Sequence, residues 1–224
     1  PFSKGDPIFG MDLAFYVFQL PFVITVYNAF YGPLFMLTLL TGVFYVVTGV
    51  LRFHSLRIWQ KGSIEIGPSA RKHLAFLIAV LFAFRAFGYY LNMYQLLYSK
   101  HGHVVGAGYT DLYATLPALK ILMVLSAIGI FLAILGTVFR DSRLLSVPVA
   151  VVFIIGTVLY SVFPALVQSF IVTPNELAKE TPYIENEIAM TRYAYGLDKI
   201  QEQDYPGNKA ISAETLKDEQ STLN

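Results

Sequence analysis

The stretch PALVQSFIVTPNELAKETPYIENEIAMTRYAYGLD, residues 164–198, marks the point where this sequence changes character. The chain before it is rich in apolar residues, and the chain after it is polar and acidic. Residues 172–224 contain ten acidic and five basic side chains, whereas the whole chain has a net charge of +1. This contrast predicts a helix that leaves a lipid bilayer near residue 172 and continues into a water-exposed segment.

Four apolar stretches upstream are long enough to cross a bilayer, which takes about 20 helical residues. They lie at residues 22–51, 74–97, 113–139 and 144–172. We therefore expect an all-α, polytopic membrane fold, with a four-helix transmembrane region at 22–172 and the start of a soluble extracytoplasmic domain at 173–224. The first stretch would be about 45 Å long as a helix, so we expect it to tilt, project or break at Pro33.

Residues 1–21 are predicted to form an extracytoplasmic, interfacial leader. The apolar run 13–20 is too short to span a bilayer and ends at Pro21. A short helix with Asp12 as its N-cap would suit an interface. A leader that simply packs on the rest of the protein fits the same residues.

The charges of the loops predict how the spans are oriented. Residues 52–73 carry five Lys or Arg side chains and one acid, and the turn at 140–143 carries two arginines. Cytoplasmic loops hold the excess of basic residues, so we place both on the cytoplasmic side of the membrane. The loop at 98–112 and the tail at 173–224 are then extracytoplasmic.

The tail begins with two patterns typical of helix starts. Thr173 is followed by a proline and, three residues on, by Glu176, which is a capping box. Thr181 is followed by Pro182 and repeats the first part of that signal. We expect the second of these helices to end at Gly196, a typical C-terminal cap.

Arg85 is the most informative single residue, because it lies 11 positions into the second span, about 17 Å from its start. A charge near the bilayer centre costs at least about 2.5–3.5 kcal/mol and indicates a functional site by default. None of the four spans contains an acidic residue. Its counter-charge would lie on helices outside this chain, on another subunit or on a lipid headgroup; otherwise backbone carbonyls and polar groups such as Asn92 or Gln168 would satisfy it.

Other candidate chemistry is weak. Lys120 lies near the outer end of the third span, from which its side chain can extend toward the interface, toward Asp111. The absence of intramembrane Asp, Glu and His weighs against a proton relay. The chain has no cysteine, so thiolate metal sites are excluded within it. His101 and His103 form an H-x-H pair without a third ligand. We predict no catalytic residue, no metal, no cofactor and no nucleic-acid partner.

Small side chains recur at every fourth position in two of the spans. This spacing is typical of helix faces that approach closely inside membranes. The residues in question are Ala75, Ala79 and Ala83 in the second span and Gly129, Ala133 and Thr137 in the third.

Four segments resemble an uncharacterised protein family (UPF) of large bacterial membrane proteins. They are DPIFGMDLAFYVFQLPF at 6–22, LLYSKHGHVVGAGYTD at 96–111, LPALKIL at 116–122 and the long stretch at 164–198 quoted above. The resemblance implies about seven spans followed by a large extracytoplasmic domain. It also implies that spans precede Pro1 and that most of the soluble domain follows Asn224. The family has no activity to carry over.

Three functions remain open at this level. The first is a structural or accessory membrane component that anchors an extracytoplasmic domain within a larger membrane assembly, with lipid and other membrane subunits or helices as partners. The second is a transporter or channel component with Arg85 on an anionic path. The third is an envelope enzyme whose chemistry lies in the soluble domain, although the sequence favours no enzymatic role.

Overall fold

The computed structural model describes residues 4–54, 64–101 and 104–200, and four long helices make up most of this part of the chain. Each helix is long and apolar enough to cross a membrane, which confirms an all-α fold with candidate transmembrane helices. The helices are α1 (Phe15–Val47), α2 (Pro68–Tyr98), α3 (Asp111–Val138) and α4 (Arg143–Ala194).

Two short antiparallel hairpins lie between the helices. Strands β1 (Leu51–Phe53) and β2 (Ile64–Ile66) pair after α1, and strands β3 (Lys100–His101) and β4 (Val104–Val105) pair after α2. The basic loop at 52–73 therefore contributes residues to both strands of the β1–β2 pair. The last residues of this loop belong to α2, whose first helical position is a proline that follows Gly67. Proline suits this position because the backbone N–H that it lacks would have no partner within the helix.

The helices α2 and α3 form the centre of the first of two compact units, which covers Pro1–Glu187; the second covers Ile188–Asn224. In the most apolar stretch of α2, 39% of the residues are buried, and in that of α3, 28% are buried. The most apolar stretches of α1 and α4 contain no buried residue. Leu119 and Leu122 of α3 are fully buried, and Tyr89 of α2 packs in the same cluster. The apolar surfaces of α1 and α4 thus remain available to lipid or to other helices.

Four prolines lie inside the helices just after a widened π-helical turn. The turns are Phe15–Gln19, Asp111–Thr115, Val158–Val162 and Gln168–Val172, and they precede Pro21, Pro117, Pro164 and Pro174. In each case the residue before the proline donates its N–H to the carbonyl five positions back. A proline cannot donate to the carbonyl four positions back and its ring crowds that carbonyl. The wider turn accommodates the ring and lets the helix continue.

Two boundaries predicted from prolines are wrong for this reason. The helix α1 passes through Pro21, so residues 13–20 are not a separate helix ahead of a span that starts at residue 22. Of the three alternatives expected for the first span, a break at Pro33 is not observed, because α1 continues through this proline. The helix α4 passes through Pro174 and continues to Ala194, so no new helix begins after residue 172.

The predicted caps in the tail share this error. The Thr173 hydroxyl donates to the carbonyl of Gln168 at 2.9 Å, and the Thr181 hydroxyl donates to the carbonyl of Leu177. Both bonds point back into the helix, as threonines within a helix do. The predicted end at Gly196 is confirmed, because this glycine follows α4 with φ +68°. Where the bilayer surface crosses α4 stays a prediction, placed at residue 172.

The segments between the helices gather at opposite ends of the first unit. At one end, the Ser142 hydroxyl donates to the carbonyl of Ile64 at 2.6 Å, which joins the β1–β2 hairpin to the α3–α4 turn. We call this the arginine end. At the other, the Tyr98 hydroxyl donates to the carbonyl of Tyr16, and Glu180 accepts from the backbone of Tyr109. We call this the carboxylate end, because the carboxylates of Asp6, which bonds the Tyr16 hydroxyl, and Glu180 lie there.

Candidate functional site

Arg85 lies in the middle third of α2, about 20 Å from the end of the helix at Tyr98. Its side chain is half-buried between α1 and α4. The amphipathic α2 places it there because the neighbouring positions Phe82 and Tyr89, three and four residues away, face the core of the unit. A permanently charged guanidinium is thus held on an apolar helix far from either end.

Aromatic rings supply the immediate surroundings of this charge. The guanidinium carbon of Arg85 lies 4.5 Å from the ring centre of Tyr89 and 5.9 Å from that of Tyr31. Tyr31 in turn stacks on Tyr27, with ring centres 5.3 Å apart. A cation over an aromatic face gains about 2 kcal/mol or more when the pair is removed from water. The rings therefore offset a part of the cost of placing Arg85 between the helices.

No acidic group completes the site within residues 4–54, 64–101 and 104–200. Arg85 has no ion pair among these residues, and no hydrogen bond joins it to Asn92 or Gln168. Gln168 instead accepts a hydrogen bond from the Thr110 hydroxyl, at the carboxylate end. Of the two polar partners that the sequence suggested for Arg85, Gln168 thus bonds another residue and Asn92 forms no hydrogen bond with the guanidinium.

The guanidinium faces a cleft of about 430 Å³ between α1, α2 and α4. Tyr31, Phe82 and Tyr89 line this cleft, and α4 contributes Thr157, Tyr160 and Ser161 to its lining. Such a cleft suits an anionic group, a carboxylate above all, because Arg85 offers a planar set of donors. The described residues contain no group of three or more metal-ligating side chains.

A second buried polar atom lies close to the same aromatic residues. The Tyr27 hydroxyl is buried and has no hydrogen-bond partner in the part of the chain that the structure describes. It packs against the backbone of Gly88, where a Cβ atom would come within 2.2 Å of the hydroxyl oxygen. A glycine is therefore required at this contact between α1 and α2.

Lys120 is exposed on the side of α3, and no ion pair to Asp111 is found within the described ranges. The carboxylate of Asp111 is buried and accepts a hydrogen bond from the backbone N–H of Gly108 at 3.4 Å. The two residues lie nine positions apart on one helix, so Lys120 would have to reach about 13 Å along it.

The structure brings some of the small residues together and separates others. Ala75 and Ala133 are buried in one cluster, and Ala79 packs against it. Gly129 admits the ring of Phe82, which a Cβ atom would approach to 2.9 Å. Ala83 is exposed, and Thr137 is only partly buried while its neighbour Gly136 is buried. The α2–α3 contact thus follows the helical period of 3.6 residues rather than a strict spacing of four.

Sequence reasoning missed the role of Asp6. Its carboxylate is buried and accepts backbone N–H groups of Ile8, Phe9 and Met11 at 2.6–2.8 Å, together with the Tyr16 hydroxyl at 2.8 Å. These bonds fold residues 4–14 into a compact turn on the end of α1. An aspartate two residues before the first of these donors is the signature of an Asx-turn, so the local signal was present.

It also missed how the tail contacts the loop at 98–112. The backbone N–H of Tyr109 lies 3.2 Å from both carboxylate oxygens of Glu180. A Cβ atom at Gly108 would come within 2.9 Å of Glu180, and one at Gly106 within 2.2 Å of Glu187. The two glycines therefore let the carboxylates of α4 approach the loop backbone, a long-range contact that no local pattern indicates.

Taken together, the four long apolar helices and the arginine held between them define an all-α fold with four candidate transmembrane helices. The chain belongs to the uncharacterised protein family UPF0182, whose model matches residues 1–224. This agrees with the family resemblance of the four quoted segments.

Relatives from several bacteria carry the same family name. A UPF0182 protein of Desulfitobacterium hafniense is 57% identical over 224 residues, which is 100% of this chain and 23% of the relative. A UPF0182 protein of Desulforamulus reducens is 38% identical over 222 residues, 99% of this chain and 23% of the relative. One of Pelotomaculum thermopropionicum is 36% identical, again over 99% of this chain and 24% of the relative.

The chain thus spans about a quarter of the length of these relatives. No solved structure matches it.

Proposed function

We propose that this chain is the membrane portion of a structural or accessory protein of the bacterial inner membrane, which anchors an extracytoplasmic domain within a larger membrane assembly. In this proposal residues 52–73 and 140–143 face the cytoplasm and residues 173–224 lie outside it. The observation that carries the proposal is the cleft at Arg85, which holds a charge among aromatic rings and offers it no acid within the described residues.

The energetics of the cleft favour a protein partner. An arginine at the bilayer centre costs about 2.5–3.5 kcal/mol on insertion scales, and the rings of Tyr31 and Tyr89 offset only a part. A carboxylate from a further helix would satisfy the guanidinium and exclude lipid from the 430 Å³ space. The length of the relatives supports this view, because three quarters of each relative lies outside the aligned segment. The partner helix would belong to that remainder or to another subunit.

A transport role is the second candidate, and the hydroxyl groups of the cleft favour it. Thr157, Tyr160 and Ser161 face the same space as Arg85. A continuous polar lining with one cation would let an anion pass or bind. An enzymatic role would depend on residues of the soluble domain.

The two candidates differ in whether water reaches the cleft. This chain has no cysteine, so Thr157→Cys can be introduced into the full-length protein after any cysteine outside this chain is replaced. Labelling of native membranes with a charged, membrane-impermeant thiol reagent then reports on water in the cleft. Lys100→Cys, in the β3–β4 hairpin, serves as the accessible control.

The anchoring proposal predicts that the thiol introduced by Thr157→Cys stays unlabelled while the control reacts, and that a density map of the intact protein shows a carboxylate within about 3 Å of Arg85. Rapid labelling of the Thr157→Cys variant that added anions suppress would contradict it and would favour transport. Arg85→Gln should lower the amount of assembled protein in the membrane, whereas Lys120→Gln, which also removes a positive charge, should not.

A further inference from the structure

A second cavity, of about 500 Å³, lies at the arginine end, far from the Arg85 cleft. It forms where the β1–β2 hairpin, the start of α2 and the α3–α4 turn meet. Arginines from three different elements line it: Arg52 from β1, Arg71 from the first turn of α2, and Arg140 from the α3–α4 turn.

Hydrogen bonds between these elements hold the cavity in shape. Arg71 Nη1 donates to the carbonyl of Arg140 at 3.0 Å, and the Ser142 hydroxyl donates to the carbonyl of Ile64 at 2.6 Å. Arg52 Nε donates to the carbonyl of Gly49 at 2.9 Å. These two arginine side chains are thus anchored by single bonds, and each guanidinium has five N–H donors. Most of their donors remain available to a ligand.

The charges around the cavity are not balanced. Arg52, Arg71 and Arg140 have no ion pair within the residues that the structure describes. Of the two acids at the rim, Asp141 is engaged by the guanidinium of Arg143, with Nη2 2.6 Å from its Oδ2. Glu65 is exposed and lies 3.8 Å from His54 Nε2. The cavity therefore carries an excess of positive charge.

The start of α2 adds to this field. The helix begins at Pro68 after Gly67, which lines the cavity. Its first turn contains no acidic residue, and no side chain caps it. The positive end of the helix dipole and the free backbone N–H groups of the first turn therefore face the arginine end without compensation.

We propose that this cavity binds a phosphate group, carried either by the headgroup of an anionic phospholipid or as free phosphate. Guanidinium groups pair with phosphate oxygens through two parallel hydrogen bonds. The cavity lies at the ends of four helices that are long and apolar enough to cross a membrane. In the membrane placement proposed above, on which this step rests, the headgroups of the bilayer would lie near these helix ends. Basic pockets between transmembrane helices on the cytoplasmic side bind such headgroups.

The test uses the full-length protein, delipidated in detergent, and a double variant, Arg52→Gln with Arg140→Gln. These changes remove two charges but keep the Arg140 carbonyl, which accepts the bond from Arg71. The matched control is Lys100→Gln with Lys120→Gln, which removes two charges outside the cavity. Binding is measured with dioctanoyl phosphatidylglycerol, with inorganic phosphate, and with dioctanoylglycerol, which lacks the phosphate.

We expect the double variant to bind phosphatidylglycerol at least about tenfold more weakly than the parent protein, because each solvent-accessible charge pair corresponds to roughly a factor of three. The control should stay within about twofold, as expected for charges remote from the site. Weakened binding of inorganic phosphate with unchanged binding of the lipid would identify free phosphate as the ligand. The proposal would be overturned if both phosphate probes bound equally well to the parent protein and to the double variant. It would also be overturned if the double variant lost binding of dioctanoylglycerol to the same extent as binding of phosphatidylglycerol.

Folding of the variants is checked by circular dichroism and gel filtration. If the double variant does not fold, Arg140→Gln alone replaces it, since no bond to its side chain is found in the described part of the chain. That single change should weaken phosphatidylglycerol binding by about threefold or more. No change in the single variant would then count against the cavity.

Discussion

The two ends of the first unit are built from opposite charges, and they differ in how completely those charges are satisfied. At the carboxylate end, Asp6 is buried and accepts four hydrogen bonds, and Glu180 accepts from the backbone of Tyr109. At the arginine end, Arg52 and Arg71 each donate to a single carbonyl and border an open cavity.

This difference indicates that the carboxylate end contributes to stability and that the arginine end is suited to binding a ligand. A buried carboxylate surrounded by N–H and O–H donors has little capacity left for a ligand, so its contribution is to stability. Exposed guanidinium groups that touch only carbonyls contribute little to stability and keep their donors for an anion. Substitutions at the carboxylate end should therefore change unfolding, and those at the arginine end should change binding.

The largest effect is expected for Asp6→Ala. The change leaves three backbone N–H groups and the Tyr16 hydroxyl without their acceptor, and each unsatisfied buried donor costs about 1–3 kcal/mol. We expect the free energy of unfolding in detergent to fall by about 3 kcal/mol or more. The control is Asp198→Ala, an exposed residue of the tail. An unchanged unfolding midpoint for Asp6→Ala would contradict the role given to the carboxylate end.

A smaller loss is expected for Glu180→Ala. The Tyr109 N–H loses both of its carboxylate acceptors, although water can partly replace them at this half-buried position. We expect a loss of about 1–2 kcal/mol and faster proteolysis of the loop at 98–112. Glu185→Ala, an exposed carboxylate on the same helix, is the matched control. Equal effects of the two variants would show that general charge, rather than this contact, matters.

Tyr16→Phe should have a still smaller effect of about 1 kcal/mol, because it removes one donor and leaves the acceptor with three others. The sharper measurement is a double-mutant cycle with Asp6→Ala. The two changes should couple, so the Tyr16→Phe effect should nearly vanish once Asp6 is absent. Fully additive losses would mean that the hydroxyl is not bonded to this carboxylate in solution.

The smallest effect on stability is expected for Arg140→Gln at the arginine end. Its side chain is exposed and its carbonyl, which accepts from Arg71, is retained. In lipid-free detergent the free energy of unfolding should change by less than about 0.5 kcal/mol. A loss as large as that of Glu180→Ala would remove the distinction between the two ends.

The fold class could be predicted from the sequence because membrane spans depend on composition and length, which are local. The small residues Ala75 and Ala133 could also be identified from the sequence as packing positions, since close helix packing requires small side chains. Ala83 is exposed in this chain because a strict four-residue period drifts off the 3.6-residue face of a real helix, so its role in helix packing stays a prediction. The helix boundaries at Pro21 and Pro174 were misassigned because proline is a helix terminator in water, where no neighbouring helices compensate for the lost bond.

The contacts of the sites were less predictable. The sequence identified Arg85 as a charge in an apolar span, but it did not identify Tyr31 and Tyr89 as its neighbours. Tyr89 follows Arg85 by one helical turn and could have been named, whereas Tyr31 lies on another helix. The same holds for Glu180 and Tyr109, which are brought together only by the packing of α4 on the rest of the unit.

The π-turns before the prolines have a consequence for how relatives of this protein should be compared. A turn closed over five residues holds one residue more than an α-turn, so every later position is rotated by about 100°. Val167 and Val172 are both buried although they lie five positions apart, while Ile171, four positions after Val167, is 46% exposed. The phase of the hydrophobic pattern in α4 must therefore be reset after each such turn. A homologue that lacks Pro174 should accommodate a one-residue deletion in this turn, with its buried face restored to the uninterrupted helical phase.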